Sequence, residues 1–384
     1  MINCGKHVAK DINLEDWLAS ADERCFPKYS TARGERPYPE RYREIKRTLK
    51  PIYDSIEKNA LAVSASDWIN SIIDSAEHQE LNSAENPVAE LVSADPLVYL
   101  NDHGIDHVEK VINWVSILLS LFSDGFLTPY EGFLLLVAIL VHDTGNVFGR
   151  DDHEKRIKQI LDQFCVTFIP DNFERTAIED IAIVHGGKIY GKKDTINILE
   201  HEDLLHNAKI RKRLLSALLR FGDELADDSS RADGFALSNG VIPESSKIFH
   251  YYSKALHSVT IQLNPVNKQF ELHLAYEFDS DVAQMQFMKY GSSKYLLDEI
   301  YDRTKKMECE RRYCMRFLRP YLHIDSIKVV IVIRNRKSPP IKDRIDYTLE
   351  ENGYPTVDQL LTMNQSLRTG AEQIRHMRDM WETL

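Results

Sequence analysis

The 384-residue chain contains no Cys-x-x-Cys pair. Its five cysteines, Cys4, Cys25, Cys165, Cys309 and Cys314, are scattered and odd in number. That usage predicts free thiols in a reducing compartment, with no disulfide framework and no disulfide partner. Between Met1 and Asp11 there is no basic stretch followed by an apolar one, so no signal peptide is read and a cytoplasmic location is expected. The longest apolar run ends at His142 and is short for a bilayer, which argues against a membrane role. Positive charge is also in deficit. A net charge of −11 excludes a broad nonspecific nucleic-acid surface and disfavours anionic membranes, while allowing a local basic groove. No internal repeat or low-complexity segment stands out.

What remains is the composition of a globular protein large enough for one big domain or two. The hydrophobic patterning predicts a mainly α fold: an all-helical core, an N-terminal helical extension and a smaller C-terminal α+β module. Residues 1–95 read as the extension, with helices over Asp11–Ala21, Tyr42–Lys58 and Ser66–Ser75 interrupted by Pro37, Pro39 and Pro51. This region shows no catalytic constellation, and Arg33, Arg36, Arg41 and Arg43 read as a solvated basic face.

Residues 96–235 read as the helical core. Val108, Val111, Ile112, Val115, Leu118, Leu119 and Phe122 form one apolar stripe. Thr128, Pro129 and Glu131 give the next helix an N-cap, a first-position proline and a capping box. That helix is apolar from Phe133 to Val141 and delivers His142 and Asp143. His153 and Glu154 open another helix running to about Cys165. Pro170 and Asp171 start one that ends at His185 and is closed by Gly186 and Gly187, and a last helix is expected from about Ala208 to Ala226. Residues 236–340 read as the α+β module, with strands over Ile248–Tyr252, His257–Leu263, Gln269–Phe278 and Ile327–Ile333 and a helix or helix pair over Val282–Leu318. Residues 341–384 read as a helical tail that docks on the body or on another subunit.

The chemistry lies in the helical core. His107 begins one apolar helix, His142 and Asp143 end the next, and Asp223 falls near the end of another. Two imidazoles and two carboxylates beside core stripes are costly to bury unless paired, and a divalent metal pairs them. Mixed nitrogen and oxygen donors suit Mn, Fe, Ni, Co or Zn, and Mg less well.

The ordered pattern His107, then Val141-His142-Asp143-Thr144-Gly145, then Arg220-Phe221-Gly222-Asp223-Glu224-Leu225-Ala226-Asp227, resembles the HD superfamily of metal-dependent phosphohydrolases. The preceding His103-Gly104-Ile105-Asp106-His107 belongs to the same likeness, which covers about residues 97–235. It implies His107, His142, Asp143 and Asp223 as ligands and hydrolysis of a phosphoester or phosphoanhydride. It also implies catalytic candidates in His153, with Glu154 beside it, and in His185. In the deoxynucleoside triphosphate hydrolase branch a histidine near the place of His153 acts beside the scissile phosphate, although Asn146 here replaces the second histidine of His-Asp-x-Gly-His. In the two-metal branch a His-His or His-Asn pair binds a second ion; here the pair is Val184-His185. One ion with both histidines near the phosphates is the preferred reading, and a second ion on His153 and His185 the alternative. His103 reads as a ligand or as a group supporting one. His201, Glu202, Asp203 and His206 read as a solvated turn. Lys188 and Arg220 are the first candidates for substrate phosphate, ahead of Lys192, Lys193, Arg211, Lys212, Arg213 and Arg231.

The resemblance implies a nucleotide substrate. Deoxynucleoside triphosphates split into nucleoside and triphosphate lead, with a nucleotide effector, homo-oligomeric assembly and a role in antiphage defence as further expectations. The module after residue 235 is similar in pattern to extensions on HD proteins of bacterial conflict systems. The alternatives are a phosphodiesterase acting on cyclic nucleotides or single-stranded nucleic acid, and a nucleotide sensor with slow or no turnover.

Overall fold

The computed structural model describes residues 12–27, 36–58, 104–122, 127–148, 153–189, 191–227, 237, 242–289, 291–319, 321–335, 341–351 and 367–382. His103, Arg33, Arg231 and the helix expected over Ser66–Ser75 lie outside them. The described chain is mainly helical. It divides into two compact units at the Asp223–Glu224 boundary.

The first unit is built around α4 (Pro129–Val141), every residue of which is buried. A helix apolar on all sides needs neighbours on all sides. They are α1 (Leu14–Ala19), α2 (Tyr38–Lys58), α3 (Ile105–Ser120) and α6 (Asn172–Ile183). With the turn that follows it, α4 has the length and composition of a membrane span, yet this stretch is almost wholly buried inside the protein. Its start is the expected one. Thr128 accepts from the Glu131 N–H at 3.1 Å, and the Glu131 carboxylate accepts from the Thr128 N–H at 3.0 Å. The same carboxylate is buried and takes the Arg211 guanidinium at 2.8 and 2.7 Å, which ties the start of α4 to the start of α7 (Lys212–Leu225).

Helix α2 buries Tyr42, Ile45, Leu49, Ile52, Tyr53 and Ile56, a three-and-four spacing that faces α4. Pro51 does not interrupt it as expected but sits inside the helix, where only one backbone hydrogen bond is forfeited. Arg41 is no solvated charge: it is buried, donates to the Phe168 carbonyl at 2.6 Å and pairs with buried Glu174, which also accepts from the Tyr130 hydroxyl. After a 3-10 turn at His153–Arg156 come α5 (Ile157–Ile160) and a π-turn at Leu161–Cys165. Asp171 caps α6 through the Glu174 N–H.

The last core helix begins four residues later than expected. Asp203–Leu205 (β1) and Ala208–Ile210 (β2) form a small antiparallel hairpin, with His206 and Asn207 at positive φ in its turn. A polar pair in left-handed geometry ends helical periodicity there. One thiol departs from the expectation: Cys25 is disulfide-bonded, whereas Cys165, Cys309 and Cys314 are free. Sequence separation gives no measure of the spatial approach that a disulfide requires.

The second unit holds a four-stranded sheet of order β3-β4-β7-β8. The strands β3 (Leu256–Leu263) and β4 (Phe270–Asp279) form an antiparallel hairpin closed by Asn264, whose side chain accepts from the Val266 N–H. Strand β7 (Ile324–Asn335) runs parallel to β4, which demands a crossover. It is made of α9 (Ser280–Ala283), the hairpin of β5 (Gln286–Lys289) and β6 (Ser292–Tyr295), and α10 (Leu296–Leu318).

Two elements differ from the sequence reading. Ile248–Tyr252 lies within a helix, α8 (Glu244–Ala255), because Ile248, Tyr252 and Ala255 repeat at helical spacing and Pro243 opens the helix. Ile341–Glu350 is not helical tail but strand β8, paired antiparallel with β7 along its length. Its charged residues suit an edge strand. The final helix, α11 (Gly370–Glu382), docks on α10, where the Gly370 N–H donates to Asp298 at 2.7 Å.

Candidate metal centre

Three ends of helices in the first unit converge. Helix α3 presents His107 in its first turn, α4 ends into His142 and Asp143, and α7 carries Asp223 near its end. His107 and His142 are fully buried, Asp143 is 5% exposed, and Asp223 is partly exposed. His107 Nε2 lies 3.0 Å from Asp223 Oδ1 and 3.8 Å from Asp143 Oδ2. His142 Nε2 lies 3.5 Å from Asp143 Oδ2 and 3.7 Å from Asp223 Oδ1.

These separations test the fit of an ion. Donors around one ion, each about 2.1 Å from it, lie from about 3.0 Å apart in adjacent positions to about 4.2 Å in opposite ones, a range that contains all four separations. His142 Nε2 is buried with no hydrogen-bond partner, because the carboxylate oxygens nearby are too distant to serve. The other ring nitrogen, Nδ1, donates to the Ile139 carbonyl at 2.7 Å, which leaves the lone pair on Nε2 aimed at the cluster. The residues present therefore fit a divalent ion.

A second donor group shares Asp143. Its other oxygen, Oδ1, is 3.2 Å from His153 Nε2 and 3.8 Å from His185 Nε2. His185 is buried, and its Nδ1 donates to the Ala182 carbonyl at 2.6 Å, repeating the arrangement at His142. The metal-type groups are thus His107 with His142 and Asp143, and Asp143 with His153 and His185. Sequence left His185 without the second residue of its pair; in the structure the other oxygen of Asp143 joins His153 and His185 in a group that could hold an ion.

The local backbone explains the spacing. The Thr144 hydroxyl donates to the Val141 carbonyl at 2.7 Å, and the Asn146 N–H to the Asp143 carbonyl at 3.0 Å, which turns the chain directly after the dipeptide. At Gly145 a Cβ would stand 1.9 Å from the His153 carbonyl oxygen, so only glycine lets the His153 segment lie against the turn. Glu154 is buried and its Oε2 is 3.3 Å from His153 Nδ1, orienting that ring. Gly187, at φ +62°, packs its backbone on the Glu154 carboxylate.

Electrostatics follow from this crowding. Burial opposes charge on His142, but Asp143 and Asp223 outweigh it and raise the imidazole to about 9. Burial also opposes charge on Asp223, yet the hydrogen bond from His107 and the nearby charge of His142 hold its carboxyl well below the usual range. His185 goes the other way: burial, then the repulsion of His142, push it down to about 4. A neutral His185 retains a lone pair for a ligand.

The other expected residues are placed as follows. Lys188 is exposed in the turn after His185, as are Lys192 and Lys193. Arg220 is buried and donates to the Thr195 hydroxyl at 2.8 Å, with the Val184 carbonyl at 3.5 Å. It thereby holds the turn that presents His185. Arg211 serves Glu131, Lys212 serves Asp180 and Asp203, and Arg213 serves the Leu199 carbonyl. His206 meets Asp171 at 3.1 Å, away from the cluster. One residue escaped the sequence reading. The Tyr53 hydroxyl on α2 donates to the Leu140 carbonyl at 2.8 Å and lies beside the Asp143 backbone. Its only sequence signal was its place in the apolar stripe of α2, which says nothing of its hydroxyl.

A family model described as HD-CE matches residues 97–306, more than half of the chain. No curated protein and no solved structure matches it. The histidine–aspartate cluster and this match agree on one identity: the chain belongs to the HD-CE family, and it carries an HD-type domain whose buried His/Asp group can hold a metal ion.

Proposed function

We propose that the protein is a divalent-metal-dependent phosphohydrolase of nucleotides, with deoxynucleoside triphosphates cleaved to deoxynucleoside and triphosphate as the leading reaction. The observation that carries this reading is Asp143, whose two oxygens face two sets of histidines. A divalent ion supplies, when bound, a water of lowered pKa and a polarised phosphorus centre. The protein supplies the rest. His107, His142, Asp143 and Asp223 hold the ion. Water adds at the α phosphorus and gives up a proton to solvent, the bond to the deoxyribose oxygen breaks, and His153 Nε2 delivers its proton to that oxygen and regains one from solvent. Glu154 keeps the His153 ring oriented through Nδ1. Lys188, exposed beside the turn of His185, meets the phosphate tail. A cytoplasmic setting, a nucleotide effector and oligomeric assembly extend the proposal, and depletion of nucleotides in antiphage defence extends it on family likeness alone.

The second donor group, Asp143 with His153 and His185, favours one competing reading. Two ions sharing a carboxylate suit a phosphodiesterase acting on cyclic nucleotides or single-stranded nucleic acid. Metal content and product identity separate the two. The protein loaded with Mn²⁺ is incubated with each dNTP, cyclic dinucleotides and a short oligonucleotide, and products are identified by mass. Nucleoside plus triphosphate supports the lead; a nucleoside monophosphate with two ions per chain supports the diesterase. Tight nucleotide binding without product under every metal points to a sensor. Asp143→Ala abolishes metal retention and turnover together, and surviving turnover sinks the assigned site.

A further inference from the structure

The second unit concentrates positive charge where the metal centre plays no part. Helix α10 carries Arg312, Arg316 and Arg319 at intervals of four and three, which places them on one face. Together with Arg311, Tyr313 and Glu351 they line a cavity of about 260 Å³, into which buried Met315 also projects. Arg311 is wall and not recognition group. It is buried, and its fork is committed to Glu308 at 2.7 and 2.7 Å and to the Ile324 carbonyl.

The other arginines are held differently. Arg312 lies 4.0 Å from Glu308 Oε1 and 3.7 Å from Glu351 Oε1, both beyond hydrogen-bond length. Arg319 sits 3.1 Å from His323. Burial and the Arg319 charge lower the pKa of that imidazole, so the contact orients the guanidinium without cancelling its charge. Arg316 lies over the rings of Tyr313 and Phe317, 5.7 and 5.5 Å from their centroids. With Arg311 neutralised by Glu308, the three guanidiniums of Arg312, Arg316 and Arg319 share the lining with one carboxylate, Glu351, in a chain of net charge −11.

We infer that this cavity binds a small phosphate-bearing molecule, with Arg312, Arg316 and Arg319 meeting its phosphate oxygens and Glu351 displaced from Arg312 as it enters. Guanidinium forks match phosphate oxygens bidentately, and three on one helix face can grip a polyphosphate at several points. A compact cavity suits an inorganic polyphosphate or the phosphates of a nucleotide. A nucleic-acid strand would need a groove that follows its backbone. The inference stands on the second unit alone and does not depend on what the metal centre hydrolyses.

The test uses the full chain in EDTA, so that no ion links a nucleotide to the histidine cluster. Inorganic tripolyphosphate and a deoxynucleoside triphosphate are titrated separately by calorimetry. The site binds tripolyphosphate, and Arg316→Ala with Arg319→Ala weakens it by about tenfold or more. Both side chains are exposed, so the double variant keeps the wild-type melting temperature. Glu351→Gln tightens binding, and Asp143→Ala leaves it unchanged. Equal affinities for the two ligands identify the phosphates as the recognised group, and a stronger nucleotide adds a contact to the base or sugar. The inference is overturned if neither ligand binds at about 1 mM, if the double variant binds as tightly as wild type, or if an oligonucleotide binds in preference to both.

Discussion

Gly145→Ala probes the motif glycine without touching a ligand. The new Cβ would stand 1.9 Å from the His153 carbonyl oxygen and 2.7 Å from its carbon. Real contacts of this kind stay above 3.0 Å, so the two segments must part by about 1.1 Å. The obstacle is backbone, which cannot rotate away as a side-chain tip can. Overpacking of this sort destabilises by about 1–3 kcal/mol. The displacement also carries His153 Nε2 away from Asp143 Oδ1, now 3.2 Å distant. A misplacement of about 1 Å in a reacting group lowers turnover on the order of 10²-fold. His107 and Asp223 lie on other helices and His142 on the end of α4, none of them on the His153 segment, so an ion held by these residues would stay. The measurements are turnover on the best substrate of the nucleotide panel, metal content and a melting curve. Lost turnover with retained metal is the expected result. Wild-type turnover, or loss of the ion instead, refutes the argument that Gly145 acts through His153.

Three further predictions follow from buried groups. Arg220→Ala lowers stability by about 2–4 kcal/mol, because the Thr195 hydroxyl and Val184 carbonyl lose a charged partner in a buried site. A tenfold rise in KM at unchanged stability would instead make Arg220 a phosphate contact. In metal-free protein His142 is raised to about 9, so it is protonated at neutral pH. The stability this lends is present below an unfolded pKa of about 6.5 and is lost as pH rises through 9. Metal loading at pH 7.5 therefore releases a proton from His142, visible as buffer-dependent heats in calorimetry; buffer-independent heats would count against it. Burial pushes the Cys165 thiol up to about 12, so it stays protonated at pH 9. Mass spectrometry after brief iodoacetamide treatment then finds exposed Cys309 alkylated and Cys165 intact until the chain is unfolded.

The meeting of His107, His142, Asp143 and Asp223 was readable in the sequence because each lies near the end of a strongly periodic apolar helix. Position on such a helix fixes direction, and three helix ends pointed inward suffice to imply a meeting. The capping box at Thr128 and the crossover strand Ile327–Ile333 were legible for the same reason: local chemistry and period agreed. What failed lacked that agreement. Ile248–Tyr252 is too short for alternation to be told from a helical face. Strand β8 is rich in charge because it lies at a sheet edge, and charge reads as solvated helix. Arg41 read as a solvated cation and Arg220 as a phosphate contact, since a sequence does not display the carbonyls, hydroxyl and carboxylate that receive them inside. The role of Tyr53 depends on a partner far along the chain, Leu140, that no local pattern connects to it.

The hydroxyl of Tyr53 also bears on where this protein can be cut. The family match begins at residue 97 and ends at residue 306, inside α10, which runs to Leu318. A fragment trimmed to those limits discards α2. The Leu140 carbonyl would then lose the Tyr53 hydroxyl, and the loss of Leu49, Ile52 and Ile56 would leave α4 open to water. At the other end the fragment would stop partway along a helix and omit β7, the strand on which the sheet is centred. The stretch that defines the family is therefore shorter than the stretch that folds, and expression limits drawn from the match would yield an insoluble or metal-free product.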